Sequence, residues 1–291
     1  MINILLTGSN GFLGQHIARL GSTDPSINIT GWSRNPEIHR YCDRNEQHNL
    51  ANITITNEMI SEYDVVIHTA ALSNVDYCEE NRKEAFLVNT EATRQLAKAC
   101  NETHTHLVHI STDFVFPGDD KLVSEQDATN PVNYYGRTKE MAELYIQQLL
   151  PTSTIIRPVL IFGNILSNTR SNFVLWVKNS LEKTQAINVT SDHFRTATYV
   201  EDLSRLCLNA AKTPHPGIFH AAGNSYLSVY DMAIKVAQHF NLNEKLISPI
   251  HSSNLNAPGI RPPCSHFNPE KAKQVFGFES KTFEEALKEM D

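Results

Sequence analysis

The segment NYYGRTK, Asn133 to Lys139, holds two tyrosines and one lysine. On a helix, Tyr135 and Lys139 stack on one face, whereas Tyr134 has Thr138 at that spacing and points elsewhere. A phenol beside an ammonium suits proton transfer to an oxygen that gains negative charge, because the cation favours the phenolate left behind. Lys139 falls on the stripe of Ala142, Ile146 and Leu149, which predicts a partly desolvated ammonium. A Tyr-x-x-x-Lys spacing is common, and an amphipathic helix with a solvated lysine shows it too, so the rest of the chain must decide.

A second chemical signal lies at the amino terminus. TGSNGFLG places Gly8, Gly11 and Gly14 directly between a short apolar run and the helical pattern FLGQHIARL. In that strand, turn and helix context, small residues let the backbone approach a pyrophosphate while the helix start offers N–H donors. About twenty residues on, an acid would bond an adenosine 2′-hydroxyl and an arginine would accommodate a 2′-phosphate. Ser33 and Arg34 stand there, which favours NADP(H) over NAD(H), with Glu37 the nearby carboxylate that could reverse the preference. Asn49 and Leu50 are expected at the end of the third strand, beside an adenine ring.

The elements that must position these groups follow from periodicity. INILLTG (2–8), INITGWS (27–33), DVVIHTAA (64–71), HLVHIST (106–112) and STIIRP (153–158) are short apolar runs alternating with stretches of helical period. This predicts an α/β fold: a doubly wound parallel sheet of Rossmann type, about seven strands, with a smaller α/β substrate-binding lobe. Residues 1–158, completed by about 197–223, form the expected sheet domain, and 159–196 with 224–291 the lobe. The helix from about Glu80 to Cys100 carries a stripe of Ala85, Ala92, Leu96 and Ala99 on which Asn89 also falls. A buried amide needs partners, so Asn89 is either a structural bridge or part of a site.

Composition excludes several other classes. The 291 residues are 41% apolar and 20% charged, with a net charge of −7. That is a globular pattern without the basic excess of a nucleic-acid binder. Five cysteines without a C-x-x-C pair argue for neither zinc nor a disulfide framework, so a reducing, cytoplasmic setting is expected. MINILLTG reads as a strand rather than a leader, and no apolar run is long enough to span a bilayer. In THTHLVHIS, strand alternation sends His106 and His109 to opposite faces, against metal ligation.

Taken in order, TGSNGFLG, DVVIHTAA, HISTDFVFPG, NYYGRTKEMAE, IIRPVLIFG and TYVEDLS resemble the extended short-chain dehydrogenase/reductases. STDFVFPG and FRTATYVEDL resemble the dTDP-4-dehydrorhamnose reductase branch of that superfamily. The resemblance implies Thr112 as the catalytic hydroxyl, Tyr135 as the acid, Lys139 as its helper and Asn89 in a proton relay. It places Gly8, Asn10, Gly11, Phe12, Leu13 and Gly14 around the pyrophosphate and Thr69, Ala70 and Ala71 along the cofactor. Tyr135 and Lys139 would also meet the cofactor, and Arg157 and Pro158 would lie beside the nicotinamide.

Asp113, Phe114, Arg195 and Arg261 are candidate substrate contacts, with Arg170 a further cation. Ala142-Glu143 and SDHFRTATY depart from the branch's usual pattern, which leaves the sugar open. The implied activity is NADPH-dependent reduction of the 4-keto group of a nucleotide-linked 6-deoxy sugar by a cytoplasmic homodimer. Alternatives are an epimerase or dehydratase of the same fold, or a regulatory NADP-binding subunit, which the same branch resembles.

Overall fold

The computed structural model describes residues 1–34, 40–167 and 171–291. In chain order come β1 (Ile2–Thr7), α1 (Phe12–Gly21), β2 (Ile27–Ser33), β3 (Arg44–Gln47), β4 (Val65–His68), α2 (Val75–Glu80) and α3 (Arg82–Phe86). A π-helical turn (Leu87–Glu91), α4 (Ala92–Thr103), β5 (His106–Ile110), β6 (Leu122–Val123), α5 (Tyr134–Leu149) and β7 (Thr154–Pro158) follow. Next are α6 (Phe173–Glu182), β8 (Ile187–Thr190), β9 (Phe194–Arg195), α7 (Val200–Lys212) and β10 (Gly217–Ala221). The chain continues through β11 (Leu227–Ser228), α8 (Val229–His239), β12 (Ile247–Ile250), β13 (Cys264–Phe267), α9 (Glu270–Phe276) and α10 (Phe283–Lys288).

Seven strands form one parallel sheet in the order β10-β7-β5-β4-β1-β2-β3. Helices cover both faces, which is why Ile4, Leu5 and Leu6 of β1 are all fully buried and the strand reads as a continuous apolar run. The chain leaves β1 toward β2 and β3 on one side and toward β4 on the other. That reversal opens a crevice beyond the carboxyl ends of β1 and β4, where open α/β sheets hold ligands.

One apolar core runs from Ile4, Ile17 and Ile67 through Leu203 of α7 to Val174 of α6, Met232 of α8, Phe276 of α9 and Leu287 of α10. The other sheet face packs Leu5, Trp32 and Val66 against Leu96 of α4 and Ile146 of α5. Two small sheets, β11-β9-β13-β6 and β12-β8, stand beside the large one. The first recruits Leu122–Val123 from within residues 1–158, paired with His266–Phe267.

The Glu80–Cys100 stretch is not one regular helix. It is interrupted at Asn81 and widens into the π-helical turn that contains Asn89. Such turns insert a residue into the helical ladder and rotate the side chains around it, which a 3.6-residue stripe cannot anticipate.

Candidate active site

The loop after β1 is shaped by close backbone contact. Gly8 has φ +74°, and a Cβ there would lie 2.7 Å from the Ala70 amide nitrogen, so the β1 and β4 ends can meet only at glycine. Gly8 donates its N–H to the Trp32 carbonyl (2.7 Å), and Gly11, the N-cap of α1, donates to the Gly8 carbonyl (2.8 Å). Above the loop opens a cavity of about 600 Å3. Its walls include the expected Gly8, Asn10, Gly11, Ser33, Arg34, Asn49, Leu50, Thr69, Ala70 and Ala71. A bare-backbone cradle beneath a cavity of this size fits a dinucleotide.

Other expected contacts stand outside those walls. Leu13 is buried in the core, Phe12 packs edge-on against His16, and Gly14 sits so close to the Gly8 carbonyl that it sustains the turn from behind. Tyr135, Lys139, Arg157 and Pro158 do not line the cavity either. Glu37 and Arg170 lie outside the described residues.

Sequence reasoning missed Arg40, Tyr41, Trp32 and His48, which also line the cavity. The Arg40 guanidinium lies 4.7 Å from the centre of the Tyr41 ring and donates to its hydroxyl at 2.6 Å. The Trp32 and His48 rings lie 4.3 Å apart, tilted by 49°. Arg34 and Arg40 thus place two cations around one cavity.

The second cluster assembles around the start of α5. Asn133 caps the helix, its Oδ1 accepting from the Gly136 amide (2.7 Å) while its Nδ2 donates to the Ile260 carbonyl (2.8 Å). Gly136 allows α5 to approach the loop after β5: a Cβ there would lie 3.0 Å from the Phe114 carbonyl carbon and closer still to its oxygen. This approach buries the Tyr135 phenol in one cluster with the Thr112 hydroxyl, close enough for the hydroxyl to act on the phenol's protonation. Thr112 Oγ1 also accepts from the Phe114 amide (3.2 Å) and donates toward Asp113 Oδ1 (3.2 Å).

Tyr135, Thr112 and Lys139 are all buried. Tyr134 instead turns outward, its amide donating to Glu79 and its ring lying under the Arg82 guanidinium at 5.1 Å.

Burial dominates the electrostatics of this cluster, and Lys139 is the desolvated ammonium expected from its stripe. Burial pushes the Tyr135 phenol well above its ordinary value, with the Thr112 hydroxyl opposing it. Burial lowers the Lys139 ammonium to about 7, with Glu143 acting the other way. Lys139 Nζ donates to the Ile110 carbonyl (2.7 Å) and meets His109 Nε2 (3.0 Å); no hydrogen bond among the described residues joins it to Tyr135. The phenol is therefore held neutral, the form that donates a proton.

Four further expectations are revised. Asn89 Oδ1 accepts from the Leu72 amide (2.8 Å), while its Nδ2 donates to the Leu72 carbonyl and to Thr138 Oγ1 (both 3.0 Å). Its amide is spent bracing the loop after β4 against α5, and no described bond leads from it to Lys139. Arg157 is buried in a bidentate ion pair with Glu143 and does not line the cavity.

Arg195 is also buried, donating to the carbonyls of Phe194, Pro262 and Pro263, so it knits β9 to the segment before β13 and offers no cation to a ligand. Arg261 holds Asp76 in a bidentate pair (2.7 and 2.6 Å). Asp113, whose carboxyl is raised by burial, accepts from Ser265 Oγ at 2.5 Å. Phe114 stays half-buried, its ring 6.1 Å edge-on from that of Tyr135.

A buried hydroxyl and phenol in contact, with an ammonium one turn away, can hold a carbonyl oxygen and deliver a proton to it. Comparison with known proteins places this arrangement. The family model described as the RmlD substrate binding domain matches residues 2–290. The solved structure of a dTDP-4-dehydrorhamnose reductase from Clostridium acetobutylicum is similar with a TM-score of 0.87 and 28% identity, covering 99% of this chain and 98% of that one.

The Bacillus anthracis dTDP-4-dehydrorhamnose reductase in complex with NADP is similar with a TM-score of 0.85 and 25% identity, over 100% and 97% of the two chains. Methionine adenosyltransferase 2 subunit beta from Danio rerio is 26% identical over 98% of this chain and 89% of its own length. With glycine cradle, buried phenol and hydroxyl in place and the family model spanning nearly every residue, the chain belongs to the RmlD substrate binding domain family.

Proposed function

We propose that the protein reduces the 4-keto group of a nucleotide-linked 6-deoxy sugar with NADPH, as a dTDP-4-dehydrorhamnose reductase does. The observation that carries this reading is the buried contact between the Thr112 hydroxyl and the Tyr135 phenol, set beside a cavity that carries Arg34 and Arg40. Gly8 and Gly11 would hold the dinucleotide's pyrophosphate, and the two arginines its 2′-phosphate. NAD(H) is the weaker alternative, since no carboxylate lines the cavity among the described residues. When bound, the nicotinamide supplies the hydride.

The chain's own residues do the rest. A carbonyl that accepts hydride develops negative charge on oxygen, and Thr112 holds that oxygen by a hydrogen bond. Tyr135 is kept protonated by its apolar surroundings and donates as the charge appears. Lys139 supplies a buried cation that offsets the phenolate left behind. Residues 159–196 and 224–291 serve as the substrate-binding lobe, and the working form is a cytoplasmic homodimer.

The reading predicts NADPH consumption with dTDP-4-dehydro-6-deoxy-L-mannose. Tyr135→Phe should lower kcat by at least about 100-fold while leaving the NADPH dissociation constant nearly unchanged. Full turnover by that variant would sink the mechanism. A regulatory role is the second reading, favoured by the similarity to the Danio rerio methionine adenosyltransferase subunit. Copurification of a partner enzyme, with no keto sugar turned over, would support it instead.

A further inference from the structure

Lys139 Nζ has three protons to donate, and two are placed: one on the Ile110 carbonyl at 2.7 Å and one on His109 Nε2 at 3.0 Å. His109 is completely buried on β5. Its other nitrogen, Nδ1, is buried with no hydrogen-bond partner among the described residues. Leucine would fill that space without an orphaned polar atom, so the fold keeps an imidazole whose side-chain hydrogen bond, among the described residues, goes to Lys139 alone.

The neighbours determine which form the imidazole takes. His68 on β4 lies 5.2 Å away ring to ring and is itself engaged by Thr7 and Thr93. From α5 come Lys139 and Glu143, and the carboxylate of Glu143 is bound by Arg157 of β7. A proton on His109 would set a second cation against Lys139 in a space closed to water. Burial together with the Lys139 and His68 charges holds His109 well below its ordinary value. The imidazole therefore stays neutral, with the proton on Nδ1 and the Nε2 lone pair facing the ammonium.

Resting on the proposed reductase reading, we propose that His109 is a positioning residue: it accepts a hydrogen bond from Lys139 and so keeps that ammonium charged and aimed during proton transfer from Tyr135. Asn89, bound to Leu72 and Thr138, does not reach the lysine, which leaves His109 as its side-chain anchor among the described residues.

Turnover needs charged Lys139, so activity is lost as pH rises through the lysine's pKa, and removal of an acceptor moves that loss to lower pH. His109→Leu should shift the alkaline limb of the kcat–pH profile down by about one unit, with a roughly tenfold loss of kcat at about pH 8 and KM little changed. His109→Gln, which restores an uncharged acceptor, should return the limb to within a few tenths of a unit. The melting temperature and NADPH affinity of each variant establish that it is folded. If leucine is not tolerated, methionine fills the same volume with a poor acceptor and takes its place.

A folded leucine or methionine variant with the parental limb would overturn the proposal, as would a folded glutamine variant no better than leucine. Tyr135→Phe run alongside separates the two levels. Full turnover in that variant means the reductase reading has failed, whereas an inactive one with an unmoved His109→Leu limb means that only the positioning role has.

Discussion

Replacing Glu143 by glutamine tests how the floor of the site is held. Glu143 Oε1 accepts from Arg157 Nε at 2.9 Å and Oε2 from Nη2 at 2.5 Å, and Ser111 donates to Oε1 as well. The two side chains are 2% and 3% exposed, and among the described residues Arg157 Nη1 has no hydrogen-bond partner, so water is a poor substitute for a lost contact. Glutamine keeps the shape but presents one acceptor and one NH2 group where two carboxylate oxygens stood, leaving the guanidinium buried and uncompensated. Breaking such a pair from one side costs about 3–5 kcal/mol. For a chain of this size that corresponds to roughly 5–8 °C in Tm.

The assay is urea unfolding of wild type, Glu143→Gln, and a double variant in which Glu143→Leu is combined with Arg157→Met. The double variant should regain most of the loss, since no buried charge remains to be neutralised. A single variant within about 1 kcal/mol of wild type would refute the claim that the pair is closed to solvent.

Arg34→Ala and Arg40→Ala should each weaken NADPH binding by about tenfold or more and change NADH binding little, measured by titration calorimetry, because each removes a charged hydrogen bond from one phosphate. Equal losses for both dinucleotides would remove the 2′-phosphate role. Stability should also fall on the acid side. His68 and His220 are lowered to about 3 and His106 to about 4, each mainly by burial. Between those values and about 6.5 the unfolded chain binds more protons than the native one, so stability declines as pH falls through that window, by up to ~4 kcal/mol per unit if all three act. A urea midpoint no lower at pH 5 than at pH 7 would contradict this.

Features written in local chemistry were legible in the sequence. The glycine turn, the strands as apolar runs, and the burial of Tyr135 on the face of Lys139 each depend on spacings within about ten residues. Ser228 and Thr282 cap α8 and α10 by similarly local chemistry, each accepting from the amide three residues on. What escaped depends on chain segments meeting. Lys139 finds His109 thirty residues earlier, and Arg195 finds three carbonyls that no pattern announces. Arg40 and Tyr41 follow a segment with no periodicity, and two-residue strands such as β6 and β9 are too short to show any. A charged side chain is expected at the surface, so Glu143 and Arg157 become visible as a buried pair only once both positions are known.

The division of labour between the cavity and the Tyr135 cluster bears on how such a chain can diverge. Except for Val88, Leu166 and Ser167, the cavity is built from residues 7–72, while the hydroxyl, phenol and ammonium come from 112–139. On the proposed mechanism, substitutions in the first quarter of the chain would retune which dinucleotide is accepted without altering the groups proposed to move the proton. Descendants of one ancestor can thus exchange electron donors while inheriting the same acid, and a lineage that loses the acid can keep its nucleotide grip and persist as a binding protein.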